Sequence, residues 1–365
     1  MRLLPLIAAF ALSLSTISCQ ELSFADKHSS ASARAVLAAG DSLREGKTMD
    51  QDAWERLFET DGYAKYLASN RSGALRAMIQ EAVLVAFSPD RHAEADSLLR
   101  LTPDANDYQA LMSKNFCELA ARQEDAVRFL TETDFPALLD RANRLVKEHL
   151  PRRVSFGKVP LNDLHLICTI PDASVRDHSV LLDLNLAMDM TEDEIVRMLA
   201  HEFFHNYREI ALPEGPADSF WRIFNSFEDE GCADLIDKGD HPETMYARVG
   251  ASFEALFLDE YRNASRTLRK LDSLLVLHQP SPAGGRYDDV DGLLLFNGPP
   301  TGYHMTRLIR EAGLEQNLIQ VFNSPASFAE LYNKAAAWKN ARGGNEYVLS
   351  AEMLDHLNSA EDWPR

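Results

Sequence analysis

Two histidines four residues apart, His201 and His205, stand in the stretch AHEFFHNYRE (200–209), with Glu202 directly after the first. On an α-helix, positions i and i+4 face the same side, so the two imidazoles can converge on one ion. Glu202 is rotated by about 100° from His201 and falls beside such an ion rather than on it. From that position a carboxylate can hold and deprotonate a water on the metal. Zinc suits this set of donors: it brings the pKa of a bound water to about 7, and the glutamate serves as general base. On the surface of an ordinary amphipathic helix the same three residues would do no chemistry, so the surroundings decide.

A catalytic zinc needs a third protein ligand and an open position. The stretch FWRIFNSFEDEGCADLIDK (220–238) offers one, with 24 residues between His205 and Glu230 or 22 between His205 and Glu228. Phe220, Ile223, Phe224 and Phe227 mark one face of a second helix, expected to pack beside the first. Glu228 and Glu230 flank that apolar stripe on opposite sides, so periodicity does not choose between them. Two neighbours favour Glu230. Asp234 lies one turn later on the same side, where it can accept the outward N–H of a ligating histidine, and Gly231 permits close approach of a helix.

The elements that must carry these residues follow from the pattern. Thr191 with Glu194 three residues on is a capping-box signature, and Ile195, Met198, Leu199 and Phe203 recur at helical spacing, which predicts a helix over 192–208. Just before it, LNDLHLICTI (161–170) and DHSVLLDLNLA (177–187) are short and rich in Val, Leu and Ile, with PDASVR between them; they are the strand candidates. Upstream, residues 31–149 repeat apolar side chains at three- and four-residue spacings, with no fixed-period repeat. Helical spacing returns after about 244, is broken by the Pro- and Gly-rich QPSPAGGRYDDVDG, and resumes in YHMTRLIREAG and SPASFAELYNKAAAWK, the former closing at Gly313. The fold class is therefore mainly α with a small β-sheet (α+β). The organisation expected is a signal peptide (1–18), a polar tether (19–30), a helical N-terminal region (31–150) and a region carrying the HExxH chemistry (151–365).

The opening MRLLPLIAAFALSLSTISCQ has one basic residue before a short apolar run, as a secretory signal does, and its TISC resembles a bacterial lipoprotein cleavage box with Thr16 where leucine is commoner. Export is thus expected, with Cys19 as the lipidation site anchoring the protein to the cell envelope, periplasmic or at the outer membrane. Cys117, Cys168 and Cys232 then remain, too few and too scattered for a disulfide framework. The formal charge of −19 repels phosphate backbones, so no nucleic-acid partner is expected. The chain shows neither a Gly-rich phosphate cradle nor the Gly-x-Ser-x-Gly element of serine hydrolases.

HEFFH followed by EGCAD resembles the gluzincin clan of metallopeptidases, and the neighbourhood is similar to a family of zinc-dependent peptidases of unknown substrate found among bacterial lipoproteins. LFETDGYAKYL and FNGPPTGYHMTRLI extend the likeness over most of the mature chain. The resemblance implies a zincin-like core, Zn2+ as cofactor, His201, His205 and Glu230 as its ligands, Asp234 behind a histidine, and Glu202 as the base. It also implies a Tyr or His from a later segment stabilising the oxyanion, for which Tyr303 and His304 stand best. An edge strand above the site would pair with an extended substrate backbone. His165 and His178, in or beside the strands, read as structural, and Tyr207 as a packing residue. The Pro- and Gly-rich loop could serve as a lid. The function expected is hydrolysis of a peptide or protein substrate; the alternative is a surface lipoprotein that binds a partner or glycan and keeps zinc only structurally.

Overall fold

The structure, a computed structural model, describes residues 24–361 apart from 25, 69–72, 156–162, 212–214, 241–250, 281–284 and 295–297. The expected signal segment and Cys19 lie outside the described residues. Among those described, the chain is mainly helical with one four-stranded sheet. No described helix is long and apolar enough to cross a membrane.

Helices fill the N-terminal region, among them Ala31–Arg44, Ala74–Phe87, Tyr108–Ala121 and Phe135–Glu148. Aspartates start several of them: the side chains of Asp50, Asp107 and Asp134 each accept a backbone N–H of the first turn, satisfying one of the donors a helix start leaves unpaired.

The sheet runs β1 (His28–Ser29), β2 (Asp163–Ile167), β4 (Ser179–Asp183), β3 (Ala173–Arg176) in spatial order. β1 and β4 lie parallel to β2, and β3 is antiparallel to β4. The two predicted strands correspond to β2 and β4. PDASVR, expected only to separate them, forms the edge strand β3. Its polar composition hid it, because only one side of it packs, whereas β4 is buried at every residue. Asp177 and His178, both at positive φ, make the two-residue turn that folds β3 back on β4. The end of the tether is likewise more ordered than its polarity suggested, since His28–Ser29 add to the sheet.

Two long helices follow. We call Glu192–Ala211 the histidine helix and Ser219–Asp237 the glutamate helix. The apolar face of the first joins the N-terminal helices and the sheet in one core, with Ile195, Leu199, Phe203 and Phe204 fully buried beside Leu139, Val146, Leu166 and Leu182. The glutamate helix packs chiefly into a second core with the C-terminal helices Pro299–Glu311, Pro325–Asn340 and Ala351–Glu361, through Phe220, Phe224 and Phe227 against Tyr303, Phe328 and Met353. Gly231 does permit close approach, and the partner is the helix Pro299–Glu311: a Cβ on Gly231 would stand 2.4 Å from the Gly302 carbonyl oxygen, and one on Gly302 would meet the Phe227 carbonyl. Cys117, Cys168 and Cys232 are free thiols.

Candidate metal centre

The capping box is formed as predicted. Glu194 N–H donates to Thr191 Oγ1 (3.3 Å) and Thr191 N–H donates to the Glu194 carboxylate (2.7 Å), which fixes the first turn of the histidine helix. With Ile195, Leu199 and Phe203 turned to the core, His201, Glu202 and His205 fall on the face toward a cleft of about 690 Å³. β3 and the glutamate helix form the other walls. The glutamate helix is oriented at its start by Asp218, whose carboxylate accepts the Trp221 N–H (2.8 Å) and also contacts His356 Nε2 (3.1 Å).

His201 Nε2 and His205 Nε2 point at each other across 3.0 Å, and Glu230 Oε2 stands 3.7 Å from His205 Nε2. Glu202 Oε1 lies 4.0 Å from His201 Nε2, beside the group rather than in it. Behind the rings sit three aspartates. His205 Nδ1 bonds Asp229 Oδ1 at 2.9 Å. His201 Nδ1 faces Asp237 Oδ1 at 3.3 Å and Asp234 Oδ1 at 3.6 Å, without a directed hydrogen bond to either. Lys238 lies against both of those carboxylates.

This arrangement tests the fit of a metal. Each Nδ1 faces a carboxylate and so carries the ring proton, which leaves a lone pair on each Nε2. Two lone pairs at 3.0 Å repel unless a positive charge stands between them. Ligand atoms around a tetrahedral zinc, each about 2.0–2.1 Å from the ion, lie about 3.4 Å apart. The spacings of 3.0 and 3.7 Å bracket that value. Two imidazoles, one carboxylate and an open side toward the cleft are the donor set of a catalytic zinc.

The electrostatics agree. Burial opposes a charge on His205, yet Asp229 and Glu230 outweigh it and push its pKa up to about 10. Burial likewise opposes charge on His201, and Asp237 overcomes it, so its pKa is also raised. The surroundings therefore reward positive charge at the point where the rings meet. Burial raises the pKa of Glu202, with the two histidines pulling the other way, which strengthens it as a base. Burial pushes Asp234 up to about 6 despite Lys238. Asp237 goes the opposite way: burial would raise it, but Lys238 and His201 hold it below the usual carboxylate range.

The structure separates the two candidate glutamates. Glu228 is buried in a two-pronged pair with Arg208 (2.9 and 3.0 Å) and also accepts the Asn323 N–H, so it faces away from the histidine nitrogens. Glu230 is the one brought to them. Asp234 stands near His201, but Asp237 is closer. Sequence reasoning passed over Asp229, Asp237 and Lys238; the signal for Asp229 was its place directly before Glu230, opposite a histidine that needs its Nδ1 proton held.

Tyr303 and His304 are not brought to the cleft. Tyr303, fully buried, donates to the Gly239 carbonyl (2.8 Å), and His304 Nε2 pairs with Glu346 (3.0 Å) with its ring edge-on to Tyr261. The expectation that they stabilise an oxyanion is corrected by this placement: both belong to the packing of the C-terminal helices. Of the expected lid, residues 281–284 lie outside the described residues, while Gly285 and Tyr287 are bonded to Asp218 and Ser219 at the start of the glutamate helix. His178 pins the β3–β4 turn to the histidine helix through Asn206 (3.1 Å). His165 is buried in β2, and Tyr207 packs in the core with its hydroxyl on Asn143 (2.9 Å).

The family model described as "Putative zinc dependent peptidase (DUF5700)" matches residues 54–341, the greater part of the chain and both helices of the site. Searches of the curated proteins and of the solved structures return no match.

Proposed function

The chain belongs to the family of zinc-dependent peptidases whose model covers residues 54–341, and from that premise we propose that its cleft hydrolyses peptide bonds at a zinc ion held by His201, His205 and Glu230. The observation that carries the reading is the convergence of two Nε2 atoms and one Glu230 oxygen beside a buried Glu202, on the wall of an open cleft.

Bound zinc would supply Lewis acidity, polarising a substrate carbonyl and acidifying water. The protein's own groups do the rest. Asp229 bonds His205 Nδ1 and Asp237 faces His201 Nδ1 at 3.3 Å, so that both rings present Nε2 to one point. Glu202 takes the proton from the attacking water and returns it to the leaving amine. Among the described residues β3 has no strand on its outer side, and residues 172–176 all line the cleft, so an extended substrate backbone can pair along it. The anionic carboxylates around the rings are the electrostatic counterpart of a dication.

The test is metal analysis of the mature protein together with a peptide-library profile with and without chelator. Stoichiometric zinc, and cleavage abolished by chelator and by Glu202→Gln while zinc is retained, are the expected results. Purified protein without zinc, or zinc loading unchanged in His201→Ala, would sink the reading. Export and lipid attachment at Cys19 belong to the same proposal and rest on the N-terminal residues; labelled fatty acid incorporated into the wild type and absent from Cys19→Ala is the expected outcome.

A further inference from the structure

The helix Pro299–Glu311 meets the glutamate helix at two levels. The first is beside Glu230, where no side chain fits between Gly231 and Gly302 and the fully buried Thr306 donates its hydroxyl to the Gly231 carbonyl (2.9 Å). The second is at the end of the glutamate helix. Lys238 N–H donates to the Asp234 carbonyl, and Gly239 then turns the chain at φ +55°, a left-handed conformation that suits glycine after a helix. Such an end gathers unpaired carbonyls at the negative pole of the helix. Tyr303, Arg307 and Arg310, on one stripe of their own helix, all reach this turn. Tyr303 donates its hydroxyl and Arg310 its guanidinium to the Gly239 carbonyl (2.8 and 2.7 Å). Arg310 also pairs with the Asp240 carboxylate, and Arg307 reaches both that carboxylate (3.2 Å) and the Asp240 carbonyl (3.3 Å).

What this turn carries with it is the last turn of the glutamate helix. Asp237 and Lys238 directly precede Gly239, and Asp234 stands one helical turn back. Asp237 Oδ1 lies 3.3 Å from His201 Nδ1 and Asp234 Oδ1 lies 3.6 Å from it, so a displacement of the helix end by a few tenths of an ångström decides which carboxylate faces the ring. Helix ends fray, because their last carbonyls have no partner within the helix. The ammonium of Lys238 bonds Asp234 and Asp237, but those bonds stay within one turn and do not fix where that turn stands. The contacts at Gly239 and Asp240 do, since they come from another helix and one of them from a fully buried tyrosine.

We propose that Tyr303, Arg307 and Arg310 are positioning residues of the metal centre: they clamp the end of the glutamate helix so that Asp237 faces His201 and orients its ring for the ion. None of the three lines the cleft, so they act through Asp237. The inference rests on the zinc reading above and adds the residues that hold one side of the centre in register.

The experiment measures the zinc affinity of the full-length protein by competition with a chelator, in a double-mutant cycle. Tyr303→Phe removes the hydroxyl and keeps the ring; it is expected to weaken zinc binding by about two- to tenfold, the worth of one hydrogen bond. The loss should vanish in the Asp237→Asn background, where the clamp has nothing left to position, and persist in the Asp229→Asn background, where the other histidine is affected. Arg310→Gln, at the more exposed flank of the clamp, carries the same cycle if Tyr303→Phe does not fold, and Arg310→Lys should restore part of the affinity. A variant with wild-type zinc affinity, whatever its melting temperature, or a loss of the same size in the Asp237→Asn background, overturns the clamp and leaves the zinc reading standing. Wild-type protein that binds no zinc overturns both.

Discussion

The two helices of the site belong to different hydrophobic cores. The histidine helix is held by the N-terminal helices and the sheet, whereas the glutamate helix is held mostly by the C-terminal helices, with only Ala233 and Ile236 of its residues buried in the first core. The proposed ligands therefore meet across a seam, two from one side and one from the other. The seam is polar and crossed by ion pairs, Arg208 to Glu228 and His205 to Asp229. A packed core on each side with charged groups between them sets the positions of the proposed ligands, and an ion would complete the join.

The sharpest way to break this comparison is to remove a ligand from either side. His205→Ala and Glu230→Ala are both expected to abolish stoichiometric zinc by metal analysis and to eliminate detectable cleavage, although they sit in different cores. Glu202→Gln touches the chemistry and not the seam: zinc stays, and turnover falls by about 10²- to 10⁴-fold, as for loss of a general base. Glu228→Ala does the reverse. It takes the two-pronged carboxylate from a buried Arg208 and leaves it only Asn225 (2.8 Å) and the more distant Asp229 (3.6 Å), which costs up to about 3–5 kcal/mol in denaturant unfolding, while zinc binding persists. Chelation should lower the melting temperature of the wild type by mass action, because the ion binds only the closed seam; at a free zinc level 100 times Kd the effect is about 2.7 kcal/mol. The smallest effect separates the partners of His201: Asp237→Asn should weaken zinc affinity by about 10- to 100-fold in a competition titration, and Asp234→Asn by less. An equal loss in both variants would show that the nearer carboxylate has no special part.

Much of this was legible beforehand. The capping box, the histidine helix, β2 and β4, and the largely helical remainder all follow from local pattern, because helix period and caps are properties of neighbouring residues. Glu228 and Glu230 were not separable in that way, since each flanks the same apolar stripe. β3 was missed because a strand at the sheet edge, packed on one side, has no need of the apolar run that betrays β4. Tyr303 and His304 were placed by analogy with later segments of similar enzymes, and here the close contact of Gly231 with Gly302 draws their helix against the back of the glutamate helix, where Tyr303 is spent on the Gly239 carbonyl.

The sequence by itself determined that two imidazoles and a carboxylate share one stretch of helix, for the 3.6-residue turn makes that spacing sufficient. It determined the class of metal that such donors prefer. Only the tertiary structure decided which downstream glutamate reaches them, that Asp229 and Asp237 stand behind the rings, and that an edge strand borders the cleft. Those outcomes depend on how two separately packed cores set the rotation of two helices about their axes, and no spacing within a single element carries that information.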